Sequence, residues 1–282
     1  VRWLVVGGNG MLGTDLRAAL VRAGEDVVAP DRRALDVTDA AAVRSAVQDV
    51  DLVVNCAAFT AVDAAETEEP AAFAVNATAP ALLARAAAAA GARLVHVSTD
   101  YVFAGDGTRP YDEDDDVAPR SAYGRTKAAG EWAVLAASRD HLVVRTAWLY
   151  GAHGPCFPRT IARVARERGA VSVVDDQVGQ PTWTVDLADL VLRLVAARAP
   201  GGVYHGTATG AVSWFGFARA VVAAAGLDPE TVSPTTSADF ARPAPRPAYS
   251  VLGHGRLEAA GVAPVGRWAE RWAAAAPSVL AG

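Results

Sequence analysis

The stretch "VVGGNGMLG", Val5 to Gly13, decides the fold. It closes an apolar run that begins at Trp3 and opens an Ala/Leu-rich segment with helical spacing. Gly7, Gly10 and Gly13 recur at every third position. One glycine suits a tight turn, a second lets a pyrophosphate approach the backbone, and a third lets a helix pack closely on the strand. The helix that follows presents unpaired N–H groups at its N-terminus, which suit phosphate. A turn of this kind directly after a first strand predicts a dinucleotide loop formed by Gly7, Asn9, Gly10, Met11, Leu12 and Gly13. A plain glycine-rich turn is the alternative reading.

Outward from this loop the same pattern repeats. Apolar, β-branched runs at 3–6, 26–29, 51–54, 93–98, 141–146 and 171–174 predict strands. Stretches near 11–23, 39–48, 66–90, 122–138 and 156–168 have helical spacing. Apolar strands separated by helices predict an α/β fold, a doubly wound parallel sheet of Rossmann type covered on both faces. After about Tyr150, Gly, Pro and Trp become frequent, and "ARPAPRPAYS" (241–250) suits neither a helix nor a central strand. Segments 185–198 and 202–206 resume the alternation. The expected division is a dinucleotide-binding domain of 1–150 and 181–209, with a smaller C-terminal substrate-binding lobe of 151–180 and 210–282. That lobe should cover the carboxyl ends of the strands.

The 282 residues carry a net charge of −5, so no basic field suggests nucleic acid. No apolar run reads as long enough to span a bilayer, and no leader precedes the first strand-like run. Cys56 and Cys156 stand in unlike contexts, too few for a disulfide framework. Together these features predict a cytoplasmic protein with neither nucleic acid nor membrane as partner. The five histidines (96, 141, 153, 205 and 254) lack metal-ligand spacing, so no metal is expected.

Past the second strand, "APDRRALDVTD" (29–39) offers Asp31 to a ribose 2′-OH, as NAD requires, and Arg32 and Arg33 to a 2′-phosphate, as NADP requires. Exposed loop charge is the alternative for each. NADPH is the expected cofactor and NADH the alternative. Asp36 and Val37 fall where an adenine edge would lie, and the small residues Cys56, Ala57 and Ala58 end the third strand.

The fourth strand ends in "HVSTDYVF" (96–103), bringing Ser98 or Thr99 to the crevice. Nearby, "SAYGRTKAAGEW" (121–132) sets Tyr123 four residues before Lys127, on one face of a helix. A free phenol ionises at about pH 10, and a cation one turn away should lower that value. Lys127 can also hold the ribose of a nicotinamide riboside, while a hydroxyl hydrogen-bonds a substrate carbonyl. Hydroxyl, phenol and ammonium together predict reduction of a ketone by hydride, with Tyr123 donating the proton. A Tyr and a Lys on an exposed helix face is the alternative.

With "GGNGMLG", "NCAAFTAVDAAE", "AVNATAP", "HVSTDYVFAG", "YGRTK", "RTAWLYG", "DDQVGQPT" and "APRPAYSVL", the chain resembles the extended short-chain dehydrogenase/reductases over essentially its whole length. Within them it is most similar to the dTDP-4-dehydrorhamnose reductase family. The resemblance implies a catalytic triad of Thr99, Tyr123 and Lys127. It implies a dTDP-sugar as substrate, its 4-keto group reduced by NADPH or NADH, with dTDP-4-dehydro-L-rhamnose giving dTDP-L-rhamnose. Asp100, Tyr101, Trp148 and Arg246 then belong to the substrate side, Arg246 meeting the diphosphate. Core packing is the alternative for Trp148. Gln177, Gln180 and Thr182 either line the nucleotide pocket or cap a turn.

Dehydratases of this fold follow the catalytic Thr with Asp and Glu, whereas here Asp100 is followed by Tyr101, which argues against dehydration. Another dTDP-4-keto-sugar reductase, a 4-epimerase, and a non-catalytic NADP-binding regulatory subunit are the competing readings. Cys156 in "GPCF" stands where many relatives carry a polar, substrate-side residue. Asp15 matches one carboxylate of a Mg²⁺ site found between subunits in some relatives, but Val185 replaces a second. That argues against a metal-bridged dimer; a homodimer is one assembly open to the chain.

Overall fold

In the computed structural model, which describes residues 1–281, the apolar runs form strands and the Ala/Leu-rich stretches form helices. Strands β1 (Arg2–Val6), β2 (Asp26–Val28), β3 (Leu52–Asn55), β4 (Arg93–Thr99) and β5 (Leu142–Thr146) come first. Between them lie α1 (Met11–Arg22), α2 (Ala40–Val47), α3 (Val62–Ala65), α4 (Glu69–Phe73), α5 (Ala79–Ala90) and α6 (Ala122–Ala137). Then follow β6 (Leu149–Tyr150), α7 (Phe157–Arg168), β7 (Val171–Val174), β8 (Val178–Gly179), β9 (Thr182–Trp183) and α8 (Thr184–Ala196). The chain continues with β10 (Gly202–His205), β11 (Val212–Ser213), α9 (Trp214–Ala224), β12 (Val232–Thr235), α10 (Gly255–Ala259) and α11 (Trp268–Leu280).

The main sheet has the order β10-β5-β4-β3-β1-β2, with every neighbouring pair parallel. Side chains alternate across each strand, so both faces need cover. On one face Leu16 and Leu20 of α1, Leu187, Leu190 and Leu194 of α8, and Leu257 of α10 close the core. On the other, Val43 and Val47 of α2, Leu83 of α5 and Val134 of α6 do so. Each such buried Leu or Val contributes about 1.5–3 kcal/mol relative to exposure. β2 and β3 flank β1 on opposite sides, so the chain reverses its winding there and opens a crevice at the carboxyl ends of β1 and β3.

Three expectations need correction. Residues 171–174 do not join the main sheet: β7 pairs with β12, and β10 takes the sixth place. Its alternation of exposed Ser172 and buried Val173 is that of a half-buried strand. The helix read over 66–90 starts later, at Glu69, and widens from α4 through a π-turn at Ala74–Thr78 into α5. The stretch Glu69–Ala90, 22 residues at mean hydropathy 1.2, does have the length and composition of a membrane span, contrary to the sequence reading. Half of its apolar window is buried, and Leu83, Ala84 and Ala87 pack into the sheet's core.

The remaining helices build a second core from Tyr150, Ile161, Phe217, Val221, Trp272 and Val279. Apart from Tyr150, these residues lie in the stretches expected to form the smaller lobe. Leu257 and Val262 lie in the stretch assigned to that lobe, yet they pack into the sheet's core.

Candidate active site

The glycine loop stands at the mouth of the crevice. Gly7 has a left-handed backbone (φ +75°), and a Cβ there would lie 2.7 Å from the Ala57 nitrogen. A Cβ on Gly13 would lie 2.2 Å from the Gly7 carbonyl oxygen, so helix and turn meet at a distance only glycine permits. Gly10 caps α1 without a side-chain bond, and no acidic residue occupies the first turn. That end of α1 is therefore available to an anion.

Above it opens a cleft of about 640 Å³. Gly7, Asn9, Gly10, Asp31, Arg32, Asp36, Val37, Cys56, Ala57 and Ala58 line it, all drawn from the sequence candidates. Arg33 does not. Asp31 spends one carboxylate oxygen capping the next turn, accepting from the Arg33 and Ala34 N–H groups at 2.9 Å. Asp36 is likewise turned onto Thr38, whose hydroxyl and N–H hold its carboxyl below the usual range. Met11 packs beside the lobe's core and Leu12 enters the sheet's core, so both serve the loop through their backbone. The uncapped helix end, the cradle that a Cβ would fill and the arginine at the rim fit a dinucleotide with a 2′-phosphate.

An expected result follows for Arg32. Losing a hydrogen bond to a charged group costs about 1.5–3 kcal/mol, so Arg32→Ala should weaken NADPH roughly 10- to 100-fold and leave NADH unchanged. Arg33→Ala should change neither. Fluorescence titration of both cofactors checks this, and equal losses for the two would remove the 2′-phosphate role.

At the end of β4, Thr99 Oγ1 donates to Asp100 Oδ1 at 2.9 Å and accepts from the Tyr101 N–H at 3.2 Å. Helix α6 starts at Ser121, whose hydroxyl accepts from the Gly124 N–H. Its first turn carries Tyr123 against the Tyr101 ring, edge-on with centroids 5.5 Å apart. Burial pushes the Tyr123 phenol up to about 12, against the downward pull of Thr99. The expectation that Lys127 lowers the phenol is not met, because the Lys127 ammonium is turned to the Val97 carbonyl at 2.7 Å. Tyr123 therefore stays protonated at neutral pH, the form a proton donor needs.

Asp100 is buried, and its Oδ2 finds no hydrogen-bond partner among the described residues. Burial raises its carboxyl to about 6, against Ser250 and Thr99. Because the folded value exceeds the 3.8 usual for an aspartate, protonation favours the fold. The benefit is complete below about pH 4 and is lost as pH rises through about 6. Two units correspond to roughly 3 kcal/mol. Asp100→Asn should therefore raise the urea midpoint at pH 8 and leave it nearly unchanged at pH 4; an equal effect at both pH values would contradict this.

Of the residues expected on the substrate side, Trp148 adopts a positive φ of 48°, a conformation that costs a non-glycine residue of order 1 kcal/mol. Its ring stacks on Trp214 at 3.5 Å, beside a bare face of Gly179. Arg246 is already paired: Nη2 lies 3.0 Å from Asp63 Oδ2, and Nη1 donates to the Ala244 carbonyl. Gln180 and Thr182 cap the fold: Gln180 binds Thr207 and both backbone groups of Leu252, and Thr182 accepts from the Ala208 N–H. Gln177 bonds Ser237. Cys156 is buried in the lobe's core, with Sγ 3.6 Å from the Gly151 carbonyl oxygen. Asp15 accepts from Thr184 at 2.5 Å and lies 3.4 Å from His153.

Sequence reading missed three supports. Asn76, on the π-turn, joins both backbone groups of Phe59 to the Thr126 hydroxyl and so ties the loop after β3 to α6. Arg145 and Glu131 form a buried bidentate pair between β5 and α6. His96 lies 3.4 Å from Lys127. The period-two pattern of β4 puts His96 on the face that α6 covers, the one signal that pointed there.

A family model described as RmlD substrate binding domain matches residues 1–280. The chain is 53% identical over 274 residues to a dTDP-4-dehydrorhamnose reductase of Streptomyces griseus, covering 95% of this chain and 90% of that one. It is 50% identical to a probable dTDP-4,6-dihydroxy-2-methyloxan-3-one 4-ketoreductase of Streptomyces antibioticus, covering 100% and 96%. Among solved structures, a dTDP-4-dehydrorhamnose reductase of Bacillus anthracis in complex with NADP superposes with a TM-score of 0.93 at 37% identity. That match covers 97% of this chain and 98% of that one.

Proposed function

The chain belongs to the RmlD substrate binding domain family, that of the dTDP-4-dehydrorhamnose reductases, and from that premise we propose that it reduces the C4 ketone of a dTDP-4-keto-6-deoxysugar, with NADPH as cofactor and dTDP-4-dehydro-L-rhamnose as substrate. The observation that carries this reading is a protonated, half-buried Tyr123 beside the Thr99 hydroxyl, next to the glycine-lined cleft.

Gly7, Gly10, Arg32 and Ala57 would hold NADPH in that cleft, where the cofactor would supply the hydride for the carbonyl carbon. Thr99 and Tyr123 hold the ketone oxygen, and the Tyr123 phenol gives it a proton as negative charge develops. Lys127 lies behind them, where it can hold ribose hydroxyls. Tyr101, Trp148 and Trp214 offer apolar faces to the sugar and exclude water. Arg246 reaches the diphosphate by exchanging its Asp63 partner for phosphate oxygens, a fork geometry that suits either anion. Tyr101, where dehydratases carry Glu, leaves Asp100 without a second acid for eliminating water. Both cysteines are free thiols, which supports a reducing, cytoplasmic setting.

The test follows NADPH absorbance with a dTDP-4-keto-6-deoxysugar present and absent. Oxidation should require the sugar nucleotide. Cofactor binding without any sugar-dependent oxidation would instead favour a regulatory, non-catalytic role.

A further inference from the structure

Of the 26 Lys and Arg residues in the chain, only Lys127 is a lysine. A guanidinium stays charged at any pH a protein meets, whereas an ammonium can give up its proton. The lone lysine is buried, and its Nζ lies 2.7 Å from the Val97 carbonyl oxygen and 3.4 Å from His96 Nε2. Behind the imidazole, His96 Nδ1 lies 3.1 Å from Asn55 Nδ2, and Asn55 Oδ1 accepts the Ala57 N–H at 3.1 Å. Asn55 and His96 face each other in register across β3 and β4, and both are buried.

The Ala57 bond fixes the amide. With Oδ1 committed to a donor, Asn55 turns its NH₂ toward the ring, so Nδ1 of His96 must accept. A neutral imidazole that accepts on Nδ1 carries its proton on Nε2, and that N–H points at Lys127. An ammonium has no lone pair to receive it, so two donors would face each other. A neutral amine accepts it and leaves every group satisfied. Protonating the ring offers no escape, because burial and then Lys127 push His96 well below 6.5.

We propose that His96, locked in one tautomer by Asn55, is the positioning residue that biases Lys127 toward its neutral amine, so that the chain's only lysine can release a proton as well as carry charge. On the reductase reading, on which this role rests, that titrating amine stands one helical turn from the phenol that gives up its proton. The surrounding charges agree. Burial lowers Lys127 to about 8, with Glu131 and Cys56 acting in the opposite sense. Glu131 is matched by Arg145, and burial pushes the Cys56 thiol up to about 12, so it bears no charge. Tyr123, one turn away on α6, is held neutral.

A single lysine makes the test direct. Protein labelled with ¹⁵N at lysine Nζ and ¹³C at Cε gives one side-chain signal, whose pH titration reads Lys127 alone. His96→Gln places an amide oxygen near the Nε2 position, and Asn55→Ala frees the ring to change tautomer. Both variants should raise the lysine midpoint by roughly one pH unit or more. Should His96→Gln not fold, Asn55→Ala decides the matter by the same readout. A midpoint that stays put or falls would overturn the proposal. The titration needs no substrate, so failure of the reductase reading would appear separately, as NADPH oxidation that ignores the sugar nucleotide in the parent enzyme.

Discussion

Tyr123→Phe should lower kcat about 10²- to 10⁴-fold while NADPH binds as tightly as before. The substitution keeps the ring, and with it the edge contact to Tyr101 at 5.5 Å, and removes only the hydroxyl. Burial holds that hydroxyl protonated, at about 12, so at neutral pH Tyr123 acts as a donor. Its contribution is made only as charge appears on the ketone oxygen. kcat and kcat/KM should therefore fall together. Stopped-flow hydride transfer checks the step directly; turnover equal to the parent would show that the proton comes from another group.

Arg145→Met should destabilise the fold by about 3–5 kcal/mol. Arg145 and Glu131 are 5% and 1% exposed, joined by Nη2–Oε2 at 2.8 Å and Nε–Oε1 at 3.0 Å. The guanidinium also lies 4.8 Å from the centre of the Phe103 ring and donates to the Glu113 carbonyl. Removing it leaves a carboxylate uncompensated in the core, one turn along α6 from Lys127. An apolar replacement of the whole pair is often close to neutral, so Arg145→Met with Glu131→Leu should recover much of the loss. Urea unfolding of both proteins checks the sign. A double variant no more stable than the single one would mean that the pair's worth lies in packing rather than charge.

The glycine loop, the strands and the Tyr–Lys spacing were legible because each is a local signal, written in consecutive residues. Pairing across the chain was not. A Val-rich run such as 171–174 reads the same in a central sheet or a two-stranded one, and only its partner, β12, decides. Arg32 and Arg33 were equivalent in sequence until the turn capped by Asp31 set one on the cleft and the other away from it. Arg246 and Asp63 are 183 residues apart, so their ion pair leaves no mark on either motif. The Asn55–His96–Lys127 contacts need the register of β3 on β4 and the docking of α6, neither of which has a sequence period of its own. Lys127 was found by its spacing, yet its ammonium turned to a backbone carbonyl rather than to the phenol.

The central claim is that one constellation, Thr99 with Tyr123 beside the glycine-lined cleft, reduces C4 of a dTDP-keto-sugar from a single face. Its most direct test is NMR of the product made from dTDP-4-dehydro-L-rhamnose and NADPH deuterated at nicotinamide C4 in the transferable position. A fixed donor on one side of the ketone and a fixed cofactor on the other allow one trajectory only. The predicted result is dTDP-L-rhamnose with deuterium at C4 and no second epimer. A mixture of C4 epimers, a dehydrated sugar, or product without deuterium would contradict it.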